Sequence, residues 1–468
     1  MAGLPKGKVV TPYDYSIDTA RITADRAPGQ AIDIREAIVQ IDLYEHVEHP
    51  YVSGSMIVLD NVGIFELGDF QGTEKFQLKI TLPDDTKSIE KNFIIVSVQN
   101  VVKENDNTSD LYFRLVEESF FKNKIKTMSK GFEGKPSEII ESILKESEIG
   151  VTLEKGTPEI QNRMRYIVPY ICPYEACEIL KQVSTTSDGY PYFLYSTVGS
   201  KDKLYFKNLE ELFQAAPITS EPFIYSLYTT GKQDAEYTQQ ARFIEGPYAE
   251  NRLITGRKNK LKLEGKGRTV SNFNVSNNHD VLSILKKGYI GSNVSSINLN
   301  TRQTGAEFKF NVQEVFDKMS TSSIFPDGQK IQTYDDKAFD GMHNSSAKTQ
   351  TRLFSSRIYS DNIANIHDEG YTLGGNSRNV YTQRAIRNFF SKESMDVTVP
   401  GYHFLGENRT IGRKINLGFI KSNIDASFTD PFDRKLSGEY MIFATRHTFS
   451  LKRYDVSLTG IKLSSRNN

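Results

Sequence analysis

At 468 residues the chain exceeds the length at which a single hydrophobic core stops growing, so more than one core is expected. Lys plus Arg and Asp plus Glu each number 58, and the resulting zero formal charge removes any bulk electrostatic reason to coat nucleic acid or an anionic membrane. The opening MAGLPKGKVVTPYDYS has no apolar signal-peptide core, no run of about 18 apolar residues follows, and the two cysteines, Cys172 and Cys177, are too few for a disulfide framework and wrongly spaced for a zinc knuckle; synthesis in a reducing cytoplasm without a membrane span is expected.

The N-terminal stretch of the chain alternates with period two, the mark of half-buried strands. REAIVQIDLYE places Ala37, Val39, Ile41 and Leu43 on one face, and EKFQLKITL places Phe76, Leu78, Ile80 and Leu82 inward with Lys75, Gln77 and Lys79 outward. NFIIVSVQNVV and DLYFRLVEE are further strands, separated by the turn cluster KENDNTSD. This spacing predicts an antiparallel barrel or sandwich over residues 1–122. The pattern then changes. KPSEIIESILKESEIG opens on Pro136, carries the stripe Ile139, Ile140, Ile143 and Leu144, and has Gly150 past its end; CPYEACEILKQV repeats the plan with Pro173, Ala176, Ile179, Leu180 and Val183. A hairpin of GYPYFLYS and KLYFKN follows, and Asn208 is placed to cap the helix LEELFQ. Residues 123–222 are therefore a small α/β unit.

From Phe223 the β character returns, and 223–310 with 395–468 are assigned to a second β region. NHDVLSILKKGYIGSNVSSINLN predicts a short capped helix, a glycine turn and a strand. Between these two segments, 311–394 is a loop-rich insertion: 29 of the 60 residues from 321 to 380 are Ser, Thr, Asn, Asp or Gly, too polar for a core segment. It ends in the amphipathic helix VYTQRAIRNFFSKE, through Ala385, Ile386, Phe389 and Phe390. SGSMIVLD and SGEYMIFAT form a short internal echo, each placing Ser-Gly before an apolar strand.

No phosphate-binding loop, nucleophile elbow or zinc-protease motif occurs. Gly265 and Gly267 lie between strand-like segments, whereas a phosphate cradle needs a helix behind it, so a hairpin turn is expected. Glu45, His46, Glu48 and His49 crowd one short stretch, but residues three apart on an extended chain face opposite ways, so EHVEHP is read as a strand corner ending at Pro50 rather than a metal site. Asp335, Asp336, Asp340 and His343 lack the ordered spacing of a calcium loop. Cys172 and Cys177 are read as structural thiols, and the pair Glu117 and Glu118 takes no acid–base role from sequence alone. GRKNKLKLEGKGR carries six basic residues against the single acid Glu264, with Lys258, Lys260 and Lys262 on one strand face: a solvated face, or a rim toward an acidic partner or a DNA backbone. No catalytic, cofactor-binding or metal-ligating residue is assigned, and no cofactor is expected.

The order of these pieces resembles the baseplate hub proteins of contractile-tailed bacteriophages, a double-barrel family related to late control protein D and to the spike proteins of bacterial injection machines. HPYVSGSMIVLDNVGIFELGDFQGTEKFQLKI is similar to the family's first barrel through Pro50, Gly54, Ser55, Asp60, Gly72 and Glu74; CPYEACEILKQVSTTSDGYPYFLYS to its helix and hairpin; and the closing strands match through Pro400, Gly401, Ser437, Gly438, Tyr440 and His447. The resemblance implies two antiparallel tail-tube-like β-barrels joined by a small α/β domain, mainly β with α+β parts, with three chains giving six barrel positions. It implies a structural, non-enzymatic homotrimer that joins a six-fold tail tube to a three-fold central spike. Its partners would be the tube protein, the spike protein and other baseplate proteins, and genomic DNA would pass through without sequence recognition. Its place would be the tail baseplate of a virion assembled in the host cytoplasm. The chain closes directly after its last strand, without a needle of β repeats, so a separate spike protein is expected. The alternatives are a wall-degrading tail hydrolase using carboxylates of the insertion, and the hub of a bacterial contractile injection system.

Overall fold

The computed structural model describes residues 12–225, 267–321, 349–351 and 373–462 apart from short internal stretches, among them 25–30, 83–86, 157–163 and 421–431. The N-terminal region is built from β1 (Ser16–Thr23), β2 (Ala31–Asp33), β3 (Ile38–His46), β4 (Ser53–Asp60), β5 (Glu74–Thr81), β6 (Ser88–Asn105) and β7 (Thr108–Glu117). Period-two burial sorts their side chains as expected: on β5, Phe76, Leu78 and Ile80 are buried while Lys75 and Gln77 are exposed. On β3 the expectation is corrected at one end. Ile38, not Val39, is fully buried, because the pairing with β4 slips between Ile38 and Gln40 and turns the strand over there.

The middle region begins with α1 (Glu118–Lys124), then β8 (Gly131–Gly134), α2 (Pro136–Glu146), β9 (Thr152–Lys155), β10 (Met164–Ile167), α3 (Pro173–Val183), β11 (Tyr192–Tyr195), β12 (Lys203–Asn208) and α4 (Leu209–Gln214). Pro136 and Pro173 open their helices where the missing N–H costs nothing, and Asn208 Oδ1 accepts from Glu211 N–H at 2.9 Å to cap α4. Ile139, Ile140, Ile143 and Leu144 of α2 pack with Ala176, Cys177 and Leu180 of α3 over Leu194, Leu204 and Phe206, forming a separate apolar cluster. The stripe on α3 is narrower than expected, with Ile179 only partly buried and Lys181 buried in its place on the neighbouring face.

The remaining elements are β13 (Phe223–Tyr225), β14 (Asn272–Asn277), β15 (Gly291–Ser295), β16 (Ile297–Asn298), β17 (Gln303–Thr304), β18 (Phe308–Asn311), α5 (Val312–Thr321), β19 (Thr349–Thr351), α6 (Leu373–Phe390), β20 (Glu393–Pro400), β21 (Lys414–Phe419), β22 (Gly438–Ser450) and β23 (Arg453–Ile461). The helix expected near the end of the insertion is α6, which starts about two turns before the expected start at Val380; Ala385 and Ile386 are buried, and the side chains of Phe389 and Phe390 lie outside the described set. The short helix expected near residue 280 also falls largely outside the described residues, whereas the glycine turn at Gly288 and the following strand β15 are present.

The fold is mainly β, and its long pairings are antiparallel. Thirteen strands form one sheet whose main path runs β14-β20-β23-β22-β3-β4-β7-β6-β5-β1-β2, with β21 and β13 branching from β22. The N-terminal and C-terminal regions meet where β22 pairs with β3, from Ala444 opposite His46 to Ser450 opposite Gln40. Beneath the sheet, Ile41, Leu43, Phe76 and Phe113 belong to the same apolar cluster as Val397, Ile442, Phe449 and Val456. A second cluster joins Tyr190, Phe193 and Leu212 of the middle region to Tyr289, Phe310, Tyr381 and Ile386.

Candidate functional site

The most concentrated chemistry lies at the corner between β3 and β4, where all three regions meet. β3 ends at His46, and His49 N–H donates to His46 O at 2.9 Å, closing a tight turn. The turn removes the extended geometry that would hold residues three apart on opposite faces, so the His46 and His49 rings lie 4.6 Å apart, centre to centre, and His49 stacks on Tyr51 at 5.7 Å. Glu48 N–H donates to His46 Nδ1 at 3.1 Å. Burial, with the neighbouring His49 and Lys181, holds the His46 imidazole down to about 4 against the opposing pull of Glu48. His46 is thus a neutral turn acceptor. Among the described residues no group of three or more His, Cys, Asp or Glu is arranged to hold a metal ion.

Glu48 turns toward the helices. Its carboxylate accepts from Lys181 Nζ of α3 at 2.8 Å and pairs with Arg387 of α6, while Arg387 also donates to Tyr192 O. Burial alone would raise the Glu48 carboxyl, but Arg387 and Lys181 hold it below the usual carboxylate range. Lys181 is shared with Glu178 at 2.6 Å, and burial pushes the Glu178 carboxyl upward.

Glu45, one strand position from His46, points to the opposite side and is fully buried. Its carboxylate accepts from Val198 N–H of the middle region and from Thr445 Oγ1 of β22, and His447 Nε2 stands 3.5 Å away. Burial would raise this carboxyl, but His447, Thr445 and the Val198 N–H hold it below its usual range. His447 Nδ1 in turn meets Tyr454 Oη at 2.8 Å. A third buried group lies nearby: Glu117 Oε1 accepts from Lys91 Nζ at 2.6 Å, and Glu117 Oε2 accepts from Val52 N–H at 2.9 Å, with Ser196 Oγ 3.3 Å from Lys91 Nζ. Glu45, Glu48 and Glu117 each join a β region to another region of the chain. Held by cations and N–H donors, their carboxylates act as fasteners.

The motif residues have local physical reasons. A Cβ on Gly54 would stand 2.8 Å from Asp42 O of β3, so close strand approach requires glycine. Asp60 accepts from Ile64 N–H at 2.7 Å and Phe65 N–H at 2.9 Å, starting the turn after β4. Glu74 accepts from the N–H groups of Gln71, Gly72 and Thr73 at 2.9, 3.0 and 3.2 Å, and Gly72 takes the left-handed φ of 85° that the turn needs. Pro50 is buried, and Ser55 sits half-buried opposite Asp42. Gly401, after Pro400, lies flat against the Tyr454 ring, where a side chain would collide. Ser437 Oγ accepts from Phe419 N–H at 2.9 Å beside Gly438, and Tyr440 Oη donates to Leu436 O at 2.6 Å.

The other sequence candidates separate. Cys172 occupies the N-cap position of α3, half-buried and without a side-chain capping bond, and burial pushes the Cys177 thiol well up. Glu118 pairs with Lys122 along α1, away from the buried Glu117. Gly267 turns at φ 65° against Pro12. Gly265, Glu264, Lys258, Lys260 and Lys262, and likewise Asp335, Asp336, Asp340 and His343, lie outside the described residues. Lys91, Lys181 and Arg387 escaped the sequence reading, since each occupies an ordinary polar position of a strand or helix; the one available clue was Lys181, one position beyond the apolar pair Ile179-Leu180.

No family model and no curated protein matches the chain. Solved structures do. A tail protein from Neisseria meningitidis MC58 is similar over 96% of this chain and 97% of its own, at 10% identity and a TM-score of 0.48. The 43 kDa tail protein of prophage MuSo2 from Shewanella oneidensis covers 96% of this chain and 99% of its own, at 9% identity and a TM-score of 0.48. An E. coli component of the type VI secretion system, described as structurally similar to bacteriophage T4 tail proteins, covers 97% of this chain and 80% of its own, at 8% identity and a TM-score of 0.42.

Proposed function

We propose that this chain is a structural hub of a contractile tail: a homotrimer that joins a six-fold tube to a three-fold spike and lines a section of the ejection channel. The proposal includes the division of the chain into a first barrel at 1–122, a middle domain at 123–222, a second barrel at 223–310 and 395–468, and an insertion at 311–394. The observation that supports it best is the pairing of β3 with β22, which welds an N-terminal and a C-terminal β region into one sheet. Two such regions per chain, in three copies, supply six positions around an axis, which resolves a six-to-three symmetry change in one step.

In this reading the partners are the tube protein on one side, a separate trimeric spike on the other, and other baseplate proteins around the rim. DNA passes without base contacts, because specific grip would stall it, so the lumen is neutral or acidic and Lys258, Lys260 and Lys262 face away from its narrowest point. The place of action is the tail baseplate, after assembly in the host cytoplasm, and the role is not enzymatic. Cryo-electron microscopy of the protein co-expressed with its tube and spike partners tests this. A three-fold particle with six β positions around a pore is expected. A monomer that joins neither partner, or a pore lined by Lys258, Lys260 and Lys262, would overturn it, as would lysis of cell-wall material by the pure protein.

A further inference from the structure

Strand β22 and helices α3 and α6 meet the β3–β4 corner around His46. Glu48 N–H can only donate, so His46 Nδ1, 3.1 Å away, accepts from it and carries no proton. The ring proton of the neutral imidazole therefore sits on Nε2, and Nδ1 is the one place left for a second. Protonation turns the acceptor of this bond into a donor that confronts the Glu48 N–H. That bond sits in the turn that aims Glu48 at the helices. The Glu48 carboxylate reaches Lys181 Nζ of α3 at 2.8 Å and Arg387 of α6, and Lys181 Nζ also donates to Glu48 O at 3.2 Å.

The neighbours of His46 enlarge the change. Its ring lies 4.6 Å from that of His49 and 4.6 Å from Phe443 of β22, and His49 stacks on Tyr51. At neutral pH the cluster is balanced, with Glu48 and Glu178 against Lys181 and Arg387. Other nearby charges have their own partners: Lys124 pairs with Glu175 at 2.8 Å, Arg446 with Asp42 at 3.0 Å, and Asp396 accepts from Thr459 Oγ1 at 2.6 Å. Arg384, Tyr44 and Tyr174 complete the charged and titratable neighbours. Burial first, then His49 and Lys181, hold His46 at about 4, burial and Lys181 hold His49 below its usual range, and burial pushes Glu178 up. Acid therefore removes the Glu178 charge and adds two imidazolium charges. His46, His49, Lys181 and Arg387 then crowd the single carboxylate of Glu48.

We infer that the corner is an acid-operated latch: a proton on His46 Nδ1 breaks the turn that aims Glu48, and the end of α6 that carries Arg387 opens from the corner while the sheet stays folded. The middle of α6 remains tied, because Tyr381 Oη donates to Gly288 O at 2.7 Å and meets Ser292 Oγ at 2.9 Å. The latch is independent of the trimer and of the tail.

The test is hydrogen–deuterium exchange of the full chain from about pH 7 to about pH 4, with rates corrected for the intrinsic pH dependence of exchange. Protection of residues 382–390 should fall about tenfold and return on neutralisation, while β5 and β23 keep theirs. His46→Asn retains an acceptor for the Glu48 N–H and cannot take up the proton, so residues 382–390 should stay protected in that variant. Should His46→Asn fail to fold, the ring resonances of His46 in the native chain decide, since their titration midpoint should coincide with the loss of protection. Unchanged protection at the acid end, a loss shared equally by β5 and β23, a loss that persists in the folded variant, or a ring titration away from the exchange midpoint would each overturn the inference.

Discussion

Lys91 and Glu117 leave only 3% and 5% of their side chains exposed, so neither charge has water to fall back on. Removing one partner strands the other, which typically costs about 3–5 kcal/mol. Lys91→Met is therefore expected to lower unfolding free energy by about that much in urea titrations, and Lys91→Met combined with Glu117→Gln should cost less than the sum of the two single changes. A single-variant loss under ~1 kcal/mol would show that the pair is solvated in solution. His46 gives a pH signature. Its folded value of about 4 lies below the unfolded value near ~6.5, so the unfolded chain takes up protons first. Its contribution is complete above the unfolded value and is lost as the pH falls from there toward about 4. His46→Asn keeps a side-chain acceptor for the Glu48 N–H and removes the titration. The fall in melting temperature between about pH 6.5 and 4 should become shallower; His49, whose pKa is also lowered by burial, and at the acid end the lowered carboxyls of Glu45 and Glu48 contribute to the remainder. An unchanged slope would count against a buried neutral His46.

At the scale of elements, β4 shows how one residue sets the spacing of a strand pair. A methyl on Gly54 would face the backbone oxygen of Asp42, which cannot rotate away, and Leu43 Cδ2 at 2.9 Å. Gly54→Ala is expected to destabilise by about 1–3 kcal/mol as the strands move apart, despite alanine's lower conformational entropy cost. Thermal unfolding decides this, and a neutral or stabilising result would mean that the β3–β4 spacing is slack. The elements themselves were mostly readable. The Pro136 and Pro173 helices, the Asn208 cap and the inward face of β5 follow from residues within a few positions of one another. The slip at Ile38 was not readable, because AIVQI satisfies either face and only the partner strand selects one.

At the scale of the whole molecule, β3 is the shared member: it pairs with β4 on one side and with β22 on the other, so the two Ser-Gly strands of the internal echo run parallel on either side of it. A fragment of residues 1–222 would leave the β22 side of β3 unpaired and uncover Ile41 and Leu43, which share a cluster with Phe449. That fragment is expected to be poorly soluble and to lose hydrogen-exchange protection along β3 relative to the intact chain. A soluble fragment with native protection of β3 would show that the two β regions are independent.

The sequence by itself determined the local forms: which stretches become strands or helices, where caps and turns fall, and that the chain is mainly β. Periodicity, proline, glycine and capping residues act over a few positions, so their consequences survive without knowledge of the rest. Tertiary structure alone decided the partners. Alternation says that a strand has a buried face but not that β3 lies against β22, about 400 residues away in sequence at the Glu45–Thr445 contact. The corner likewise could be read as a corner, yet Glu48 becomes a fastener only because Lys181 and Arg387, 133 and 339 residues further on, arrive beside it. A charge on a strand or helix looks the same in sequence whether it meets water or a buried counter-ion, and long-range chain closure makes that choice.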